Sequence, residues 1–201
     1  MSELQRWEAR FATPGYWYGT EANFFLKSQR HLLKPGQKAL AVADGEGRNG
    51  VWLAQQGLDV HSVDFSPTAL AKAGAMAAER GVNLRTEQID ITRWEWPHAC
   101  FDVVVAIFIQ FAAADEIPRI FAGMKQALKP GGLLLIEGYR TEQLKYGTGG
   151  PKQVDRLYTR AMFERAFSGF SSLEIHEHDS EIVEGHGHVG LAALIDLIGR
   201  K

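Results

Sequence analysis

A chain of 201 residues with 45% hydrophobic and 23% charged residues is long enough for one substantial core and too apolar to be disordered. A formal net charge of −2, without any Lys/Arg-rich run, excludes the basic surface that nucleic-acid binding requires. The longest apolar run, residues 103–109, is too short to cross a bilayer, and the polar start and single cysteine predict a cytoplasmic protein.

Short apolar runs alternate with helix-compatible segments through most of the chain. Strands are predicted at residues 39–42, 58–63, 84–89, 101–108 and 133–137, and helices at 51–56, 68–80 and 117–128. Ser66-Pro67 predicts the start of the second helix, because serine caps free backbone N–H groups and proline fits the first helical position. The alternation predicts right-handed βαβ crossovers and a parallel sheet with helices on both faces.

The last part of the chain follows a different pattern. Residues 173–183 and 189–198 are extended segments joined by Glu184-Gly185-His186-Gly187, which predicts an antiparallel hairpin. The expected fold is α/β and doubly wound, with a mostly parallel seven-stranded sheet that ends in this hairpin. We expect one domain, made of an aromatic-rich helical flap (1–37), a βαβ core (38–140) and a C-terminal helix and hairpin (141–201).

The ends of the first three predicted strands carry the features of a nucleoside site. Ligands of open parallel sheets bind outside the carboxyl ends of the strands. The turn after the first strand, residues 43–50, is rich in small residues that let the backbone approach a ligand closely. Asp64 ends the second strand and suits the ribose hydroxyls, while Asp90 and Ile91 end the third and suit the adenine amine and ring. Each feature alone is as often structural as functional, but the ordered set predicts nucleoside binding.

The same turn matches the dinucleotide fingerprint as Gly45-x-Gly47-x-x-Gly50, so an NAD(P)-dependent oxidoreductase is the competing prediction. Dinucleotide enzymes usually devote a further half-domain to the second nucleotide, whereas this chain ends in a strand hairpin. The chain also lacks the Tyr-x-x-x-Lys pair of single-domain reductases. These observations favour a different nucleoside cofactor.

Seven motifs spread over nearly the whole chain point to one family. They are Tyr16-Trp17-Tyr18-Gly19-Thr20, Gly45-Glu46-Gly47-Arg48-Asn49, Val63-Asp64-Phe65-Ser66, Phe101-Asp102-Val103-Val104, Leu128-Lys129-Pro130-Gly131-Gly132, residues 143–151 and Glu184-Gly185-His186-Gly187-His188. Together they resemble the class I S-adenosylmethionine methyltransferases, specifically the branch of tellurite-resistance and thiopurine-type small-molecule enzymes. The resemblance implies a Rossmann-like fold, S-adenosylmethionine as cofactor and S-adenosylhomocysteine as product. It also implies in-line methyl transfer to a small-molecule acceptor, without a metal, by a monomer or homodimer.

The resemblance assigns the cofactor contacts to the carboxyl ends of the first four strands. It gives the ribose to Asp64, the adenine to Asp90 and Ile91, and the methionine part to the backbone of residues 43–47. The full set of implied cofactor contacts is Ala43, Asp44, Gly45, Glu46, Gly47, Asn49, Asp64, Phe65, Asp90, Ile91 and Ile107.

Two positions differ from the family pattern. An acidic residue that the family often pairs with the amino end of methionine is Ala41 here, and the first motif glycine is Ala43. We hypothesise that Asp44 takes over the contact with the amino group. Ala41 also keeps a third prediction open, which is a module that binds S-adenosylmethionine without catalysing a reaction.

The acceptor is expected beside the fourth and fifth strands. Phe108 and Phe111 follow the fourth strand, and Tyr139 and Arg140 follow the fifth, so these four residues are predicted to line its site. Arg140 is expected to attract an anionic acceptor.

Three further side chains are predicted to act on the transferred group or the acceptor. Tyr18, in the flap, is predicted to face the sulfonium, because aromatic faces attract cations. His186 and His188 lie in a glycine-flanked turn and are predicted to accept a proton or contact the acceptor. Two histidines without a third ligand at motif spacing do not indicate a metal site.

Overall fold

The computed structural model describes residues 2–201, so residue 1 of the predicted flap lies outside the described part. The strands are β1 Lys38–Val42, β2 Asp59–Asp64, β3 Arg85–Gln88, β4 Phe101–Ile107, β5 Leu128–Tyr139, β6 Ser172–Glu184 and β7 His188–Arg200. The α-helices are α1 Glu3–Phe11, α2 Phe24–Ser28, α3 Arg48–Gln55, α4 Pro67–Glu79, α5 Ile117–Ala127 and α6 Arg160–Ala166. Short 3-10 helices cover Arg30–Leu32, Thr141–Lys145 and Val154–Arg156.

The seven strands form one sheet in the order β3-β2-β1-β4-β5-β7-β6. Strands β1 to β5 are parallel, and β7 pairs antiparallel with both β5 and β6. The predicted doubly wound α/β fold, the seven strands and the closing hairpin are therefore confirmed. The change of strand order between β1 and β4 creates the switch point at which ligands of such sheets bind.

The central strand β4 is buried on both faces, as its apolar run predicts. Val103 and Val105 pack with Leu26 in the cluster on one face of the sheet. Val104 packs with Met124 of α5 in the cluster on the other face. Two hydrophobic layers therefore fix the sheet rigidly between its helices and hold the strand ends in place.

Two predicted boundaries are wrong by three residues or more, and local structure explains both. The helix predicted from residue 51 begins at Arg48, because Gly47 adopts a φ of +88° and caps it. The fifth strand begins at Leu128 rather than at residue 133, although Pro130 and two glycines follow. The Gly131 N–H donates to the Lys201 carbonyl at 2.8 Å, so pairing with the last strand keeps this stretch extended.

The second helix begins as predicted. The Ser66 side chain accepts a hydrogen bond from the Ala69 N–H, and Pro67 occupies the first turn. Within the described residues, none of the helices combines the length and the hydropathy needed to cross a membrane.

Candidate active site

A cleft lies at the carboxyl ends of β1, β2 and β4, where the sequence predicts the ligand. Its floor is the turn at residues 43–47, and its roof is formed by Trp7 and Phe11 of α1 together with Tyr18. Phe11 is only 3% exposed and lies directly over Gly45. The volume between floor and roof is about 70 Å³, below the several hundred Å³ of ordinary ligand pockets, so the roof lies close over the floor.

The turn itself is built from left-handed backbone. Ala43, Gly45 and Gly47 have φ values of +47°, +58° and +88°. A Cβ on Gly47 would lie 2.5 Å from the Cβ of Ala73, so a glycine is needed where α3 starts against α4. Ala43 occupies the position at which the family pattern has glycine, and its positive φ gives the physical reason for that preference.

Asp44 stabilises this turn from beneath. Its carboxylate accepts hydrogen bonds from the Ser62 hydroxyl at 2.8 Å and from the Gly50 N–H at 3.1 Å. Burial raises the pKa of Asp44 to about 7, although these hydrogen bonds favour the ionised form. Asp44 lines the cleft, but most of its hydrogen-bonding capacity is used inside the protein.

Asp64 lies at the end of β2, beside the floor of the cleft. It is 4% exposed, and its two oxygens accept from the N–H groups of Gly45 and Ser66, both at 2.9 Å. Burial raises its pKa to about 6, although these backbone hydrogen bonds favour the ionised form. Phe65 lies next to it, with its ring centroid 5.3 Å from that of Phe111. This strand end therefore combines a buried carboxyl with an aromatic wall.

The predicted adenine residues lie at the neighbouring strand end and do not line this cleft. The Asp90 carboxylate accepts hydrogen bonds from the N–H and hydroxyl of Thr92 at 3.0 and 2.7 Å. Ile91 is buried in the hydrophobic cluster on the α5 side of the sheet. Ile107, at the end of β4, does line the cleft.

Two residues predicted to touch the cofactor also attach the flap to the core. Glu46 is buried, accepts from the Trp17 N–H at 2.7 Å and forms an ion pair with Lys72 at 2.8 Å. The Asn49 side chain accepts from the Asn23 N–H at 3.0 Å. Both also line the cleft, so they join the flap to its floor.

A buried ionic cluster joins the flap, α3 and the hairpin turn. Arg48 pairs with Glu184 at 2.7 Å, and His188 Nδ1 lies 3.3 Å from the same Glu184 oxygen. The Asn23 side chain donates to Glu184 at 3.0 Å and to Glu137 at 2.5 Å. Burial raises the pKa of Glu184, but the hydrogen bond from His188 and the charge of Arg48 outweigh it and hold the pKa at about 2. The sequence prediction missed this cluster, although Arg48 and Glu184 stand in two of its motifs.

Tyr18 and His188 meet at the inner wall of the site, and the exposed His186 lines the cavity that adjoins it. The His188 ring centroid lies 4.5 Å from that of Tyr18 and 4.3 Å from that of Phe108. Burial lowers the pKa of His188, so its ring is neutral at physiological pH. His186 is exposed, with its ring 6.2 Å from that of Trp17.

A second cavity of about 390 Å³ adjoins the cleft and shares Tyr18, Phe108, Phe111 and His188 with it. Tyr139 also lines this cavity, so three of the four residues predicted for the acceptor meet there. The fourth, Arg140, does not line either cavity. Its guanidinium pairs with Glu142 at 2.9 Å and with Asp179 of the hairpin, so its charge is already compensated.

Comparisons with known proteins match this chain to methyltransferases. The family described as "Methyltransferase domain" matches residues 39–132. The chain is 30% identical to a glycine/sarcosine N-methyltransferase of Halorhodospira halochloris, over 72% of this chain and 60% of that protein. It is 33% identical to phosphoethanolamine N-methyltransferase 3 of Arabidopsis thaliana, over 53% of this chain and 22% of that protein. The chain thus spans less than two thirds of either relative.

Solved structures share the fold. TehB from Haemophilus influenzae superposes with a TM-score of 0.74 at 21% identity, covering 90% of this chain and 62% of TehB. A structure described as a SAM-dependent methyltransferase from Methanosarcina mazei superposes with a TM-score of 0.68 at 16% identity, covering 90% and 98%. At these identities the likeness to both structures shows a shared fold.

Proposed function

We propose that this chain, which belongs to the class I S-adenosylmethionine-dependent methyltransferases, transfers a methyl group from that cofactor to a small-molecule acceptor. This family is the one that the sequence predicts, and its cofactor is S-adenosylmethionine. The observation that carries the proposal is the cleft at the switch point of the sheet, with a buried carboxyl at the end of β2. The family match favours methyl transfer over the competing NAD(P)-dependent oxidoreductase.

The residues of the cleft fit this cofactor. The Asp64 carboxylate suits the ribose hydroxyls, and the concave turn at residues 43–47 suits the methionine part. Asp90 and Ile91 are proposed for the adenine, from their place at the end of the neighbouring strand outside the present cleft. When bound, the cofactor supplies a methyl group that its sulfonium already activates. The flap over the cleft excludes water from this region.

Tyr18 and His188 are proposed to act at the junction of the two cavities. The Tyr18 ring lines both cavities and offers its face to a cation. Because Glu184 is ionised, it accepts a hydrogen bond from the His188 Nδ1–H, and Nε2 is therefore the basic nitrogen of the ring. His188 is thus suited to accept a proton from an acceptor that arrives protonated.

The proposal includes no metal, because a sulfonium needs no Lewis acid to release its methyl group. Among residues 2–201, one group of three side chains is close enough to hold an ion, namely Glu137, His178 and Asp196. None of the three lines the cleft or the adjoining cavity.

The proposal also covers the roles of the chain segments, the oligomeric state, the location and the partners of the enzyme. Residues 1–37 would act as the flap, 38–140 as the cofactor-binding core and 141–201 as the acceptor side. We further propose a cytoplasmic monomer or homodimer without nucleic-acid or membrane partners.

Calorimetry with four ligands tests the function. We expect S-adenosylmethionine and S-adenosylhomocysteine to bind and NAD and NADP to give no heat. Binding of a dinucleotide alone would establish the oxidoreductase instead. Cofactor binding without turnover on any acceptor of a broad thiol, amine and oxyanion panel would favour the non-catalytic module.

Replacing His188 with glutamine is expected to lower turnover more than tenfold, because the basic nitrogen beside the acceptor is lost. Replacing His186 with alanine should lower turnover less, since its ring is exposed. In His186→Ala the affinity for S-adenosylhomocysteine should stay within about 0.5 kcal/mol of wild type, the usual size of a surface effect. In His188→Gln that affinity should fall by a smaller factor than turnover does, because His188 lies where the cleft meets the adjoining cavity. Steady-state turnover and calorimetry measure the two quantities.

His176→Ala provides the matched control, because this hairpin histidine is exposed and lies outside both the cleft and the adjoining cavity. Wild-type turnover in both test variants would make the turn purely structural. A large loss of cofactor affinity would place His188 on the cofactor side.

A further inference from the structure

We infer that the acceptor carries a carboxylate or phosphate group, separate from the atom that is methylated, and that Arg10, Lys152 and Arg156 hold this group. The inference rests on the proposed function, because it assigns the substrate class of the same site. It concerns the cavity of about 390 Å³ that continues from the cleft beyond Tyr18 and His188.

The charge of this cavity is one-sided. Its lining includes Arg6, Arg10, Lys152 and Arg156 and contains no Asp or Glu. The chain as a whole has a formal charge of −2, so a general excess of cations does not explain this. Glu3, outside the lining, pairs with Arg6 at 2.5 Å and lies 3.5 Å from Arg156. This one carboxylate therefore compensates two of the four cations.

Arg10 and Lys152 are not compensated within the described chain. No carboxylate of residues 2–201 lies within 4.0 Å of either side chain. A cluster of like charges raises the free energy of the folded protein unless an anion binds there. An adjacent sulfonium would add a further positive charge, so a neutral acceptor would leave the whole region unbalanced.

Arg10 is held in a fixed orientation. Its guanidinium carbon lies 4.5 Å from the Trp7 ring centroid and 5.5 Å from that of Trp17, and Nη1 donates to the Tyr18 hydroxyl at 3.0 Å. Arg156 is fixed in a similar way, because Nη1 donates to the Phe111 carbonyl at 2.9 Å. Each guanidinium keeps further N–H donors in the planar fork that matches a carboxylate or phosphate.

The position of the cations separates the anionic group from the reacting atom. The residues that the cavity shares with the cleft are aromatic or imidazole rings, with Tyr18 and His188 among them. The cations belong to α1 and to residues 152–156, and none of them lines the cleft. An acceptor of this cavity therefore has its nucleophile at the ring end, an organic body between, and an anionic group at the far end.

Tryptophan fluorescence tests the inference, because Trp7 and Trp17 flank Arg10. The protein is saturated with S-adenosylhomocysteine and titrated with benzoate, phenyl phosphate, benzamide and inorganic phosphate. We expect benzoate or phenyl phosphate to bind at least tenfold more tightly than benzamide, with an advantage that shrinks as salt is added. The better of the two identifies the anionic group as carboxylate or phosphate.

Variants of Arg10 and Lys152 test whether these side chains bind the anionic group. Arg10→Gln and Lys152→Gln should each reduce the affinity of the preferred anion at least fivefold and leave that of benzamide unchanged. Lys152→Gln should also leave the affinity for S-adenosylhomocysteine unchanged, because Lys152 does not line the cleft, whereas Arg10 contacts Trp7 and Tyr18 of its roof. Lys152 is exposed, so its substitution leaves the fold intact. Arg119→Gln, an exposed arginine of α5 away from the cavity, is the control and should change nothing.

Three results would overturn the inference. Equal affinity for benzoate, phenyl phosphate and benzamide would mean that the cations do not select an anion. Unchanged affinity in both variants would remove Arg10 and Lys152 from the site and contradict the inference. Inorganic phosphate binding as tightly as phenyl phosphate would mean that no organic body separates the two groups. Calorimetry on the same sample distinguishes these results from failure of the methyltransferase proposal. If S-adenosylhomocysteine binds but the anions do not, only the anion inference fails; if S-adenosylhomocysteine does not bind, the proposed function fails.

Discussion

Replacing Asp64 with alanine is expected to weaken S-adenosylmethionine binding by about 10- to 150-fold. Hydrogen bonds to a charged group contribute about 1.5–3 kcal/mol each, and the ribose hydroxyls would lose such an acceptor. Burial raises the pKa of Asp64 to about 6, so the carboxyl is largely ionised at neutral pH and its acceptor form is present. Calorimetry at pH 7.5 measures the difference.

Asp59→Ala is the matched control, because Asp59 stands exposed at the opposite end of the same strand. Asp64→Asn separates charge from shape, since the amide keeps one acceptor oxygen and is expected to fall between alanine and wild type. Asp64 also accepts hydrogen bonds from the N–H groups of Gly45 and Ser66, so each variant is checked for its folded fraction by circular dichroism. Wild-type affinity in a folded Asp64→Ala protein would remove Asp64 from the cofactor site.

Replacing Glu184 with glutamine is expected to lower the free energy of unfolding by about 3–5 kcal/mol. The side chains of Arg48 and Glu184 are 8% and 11% exposed and lie 2.7 Å apart. Removing one partner of a buried ion pair leaves the other charge buried without compensation, which costs this amount. Urea denaturation at pH 7 measures the change.

The pH dependence gives a second measure of the same pair. The pKa of Glu184 is about 2 in the folded protein, below its ordinary value near 4.5. A depressed pKa contributes stability that is present above about pH 4.5 and is lost as the pH falls towards 2. Wild type should therefore lose its advantage over Glu184→Gln in this window. Glu181→Gln, exposed on the same strand, should behave as wild type. A loss below 1 kcal/mol for Glu184→Gln at pH 7 would contradict the buried pair.

The elements that the sequence predicts well depend on local chemistry. Ser66-Pro67 starts α4 because both residues act on their own helix turn. Strand β4 is predicted from its continuous apolar run alone, because a strand buried on both faces has apolar residues at nearly every position. Asp64 is found from its place at a strand end, because the carboxyl ends of parallel strands meet at one edge.

The elements that the sequence does not predict depend on partners far along the chain. Arg48 and Glu184 are 136 residues apart, and motif spacing gives no information about such a pair. Glu46 stands in a cofactor motif but accepts a hydrogen bond from Trp17, because a motif fixes the path of the backbone and not the partner of each side chain. Arg140 is compensated by Asp179 of the hairpin, which the strand pattern could not reveal.

The insertion of β7 between β5 and β6 has a consequence for the order of folding. Strands β1 and β2, whose connecting turn is the floor of the cleft, pair over 21 residues, whereas β5 pairs with a strand some 60 residues later. Contacts of large sequence separation close the longest loops and slow folding. The cofactor floor is therefore expected to form before the acceptor cavity, whose wall includes His188 at the start of β7. Until the hairpin docks, β5 presents an apolar, unpaired edge, and this intermediate is the species most prone to aggregate.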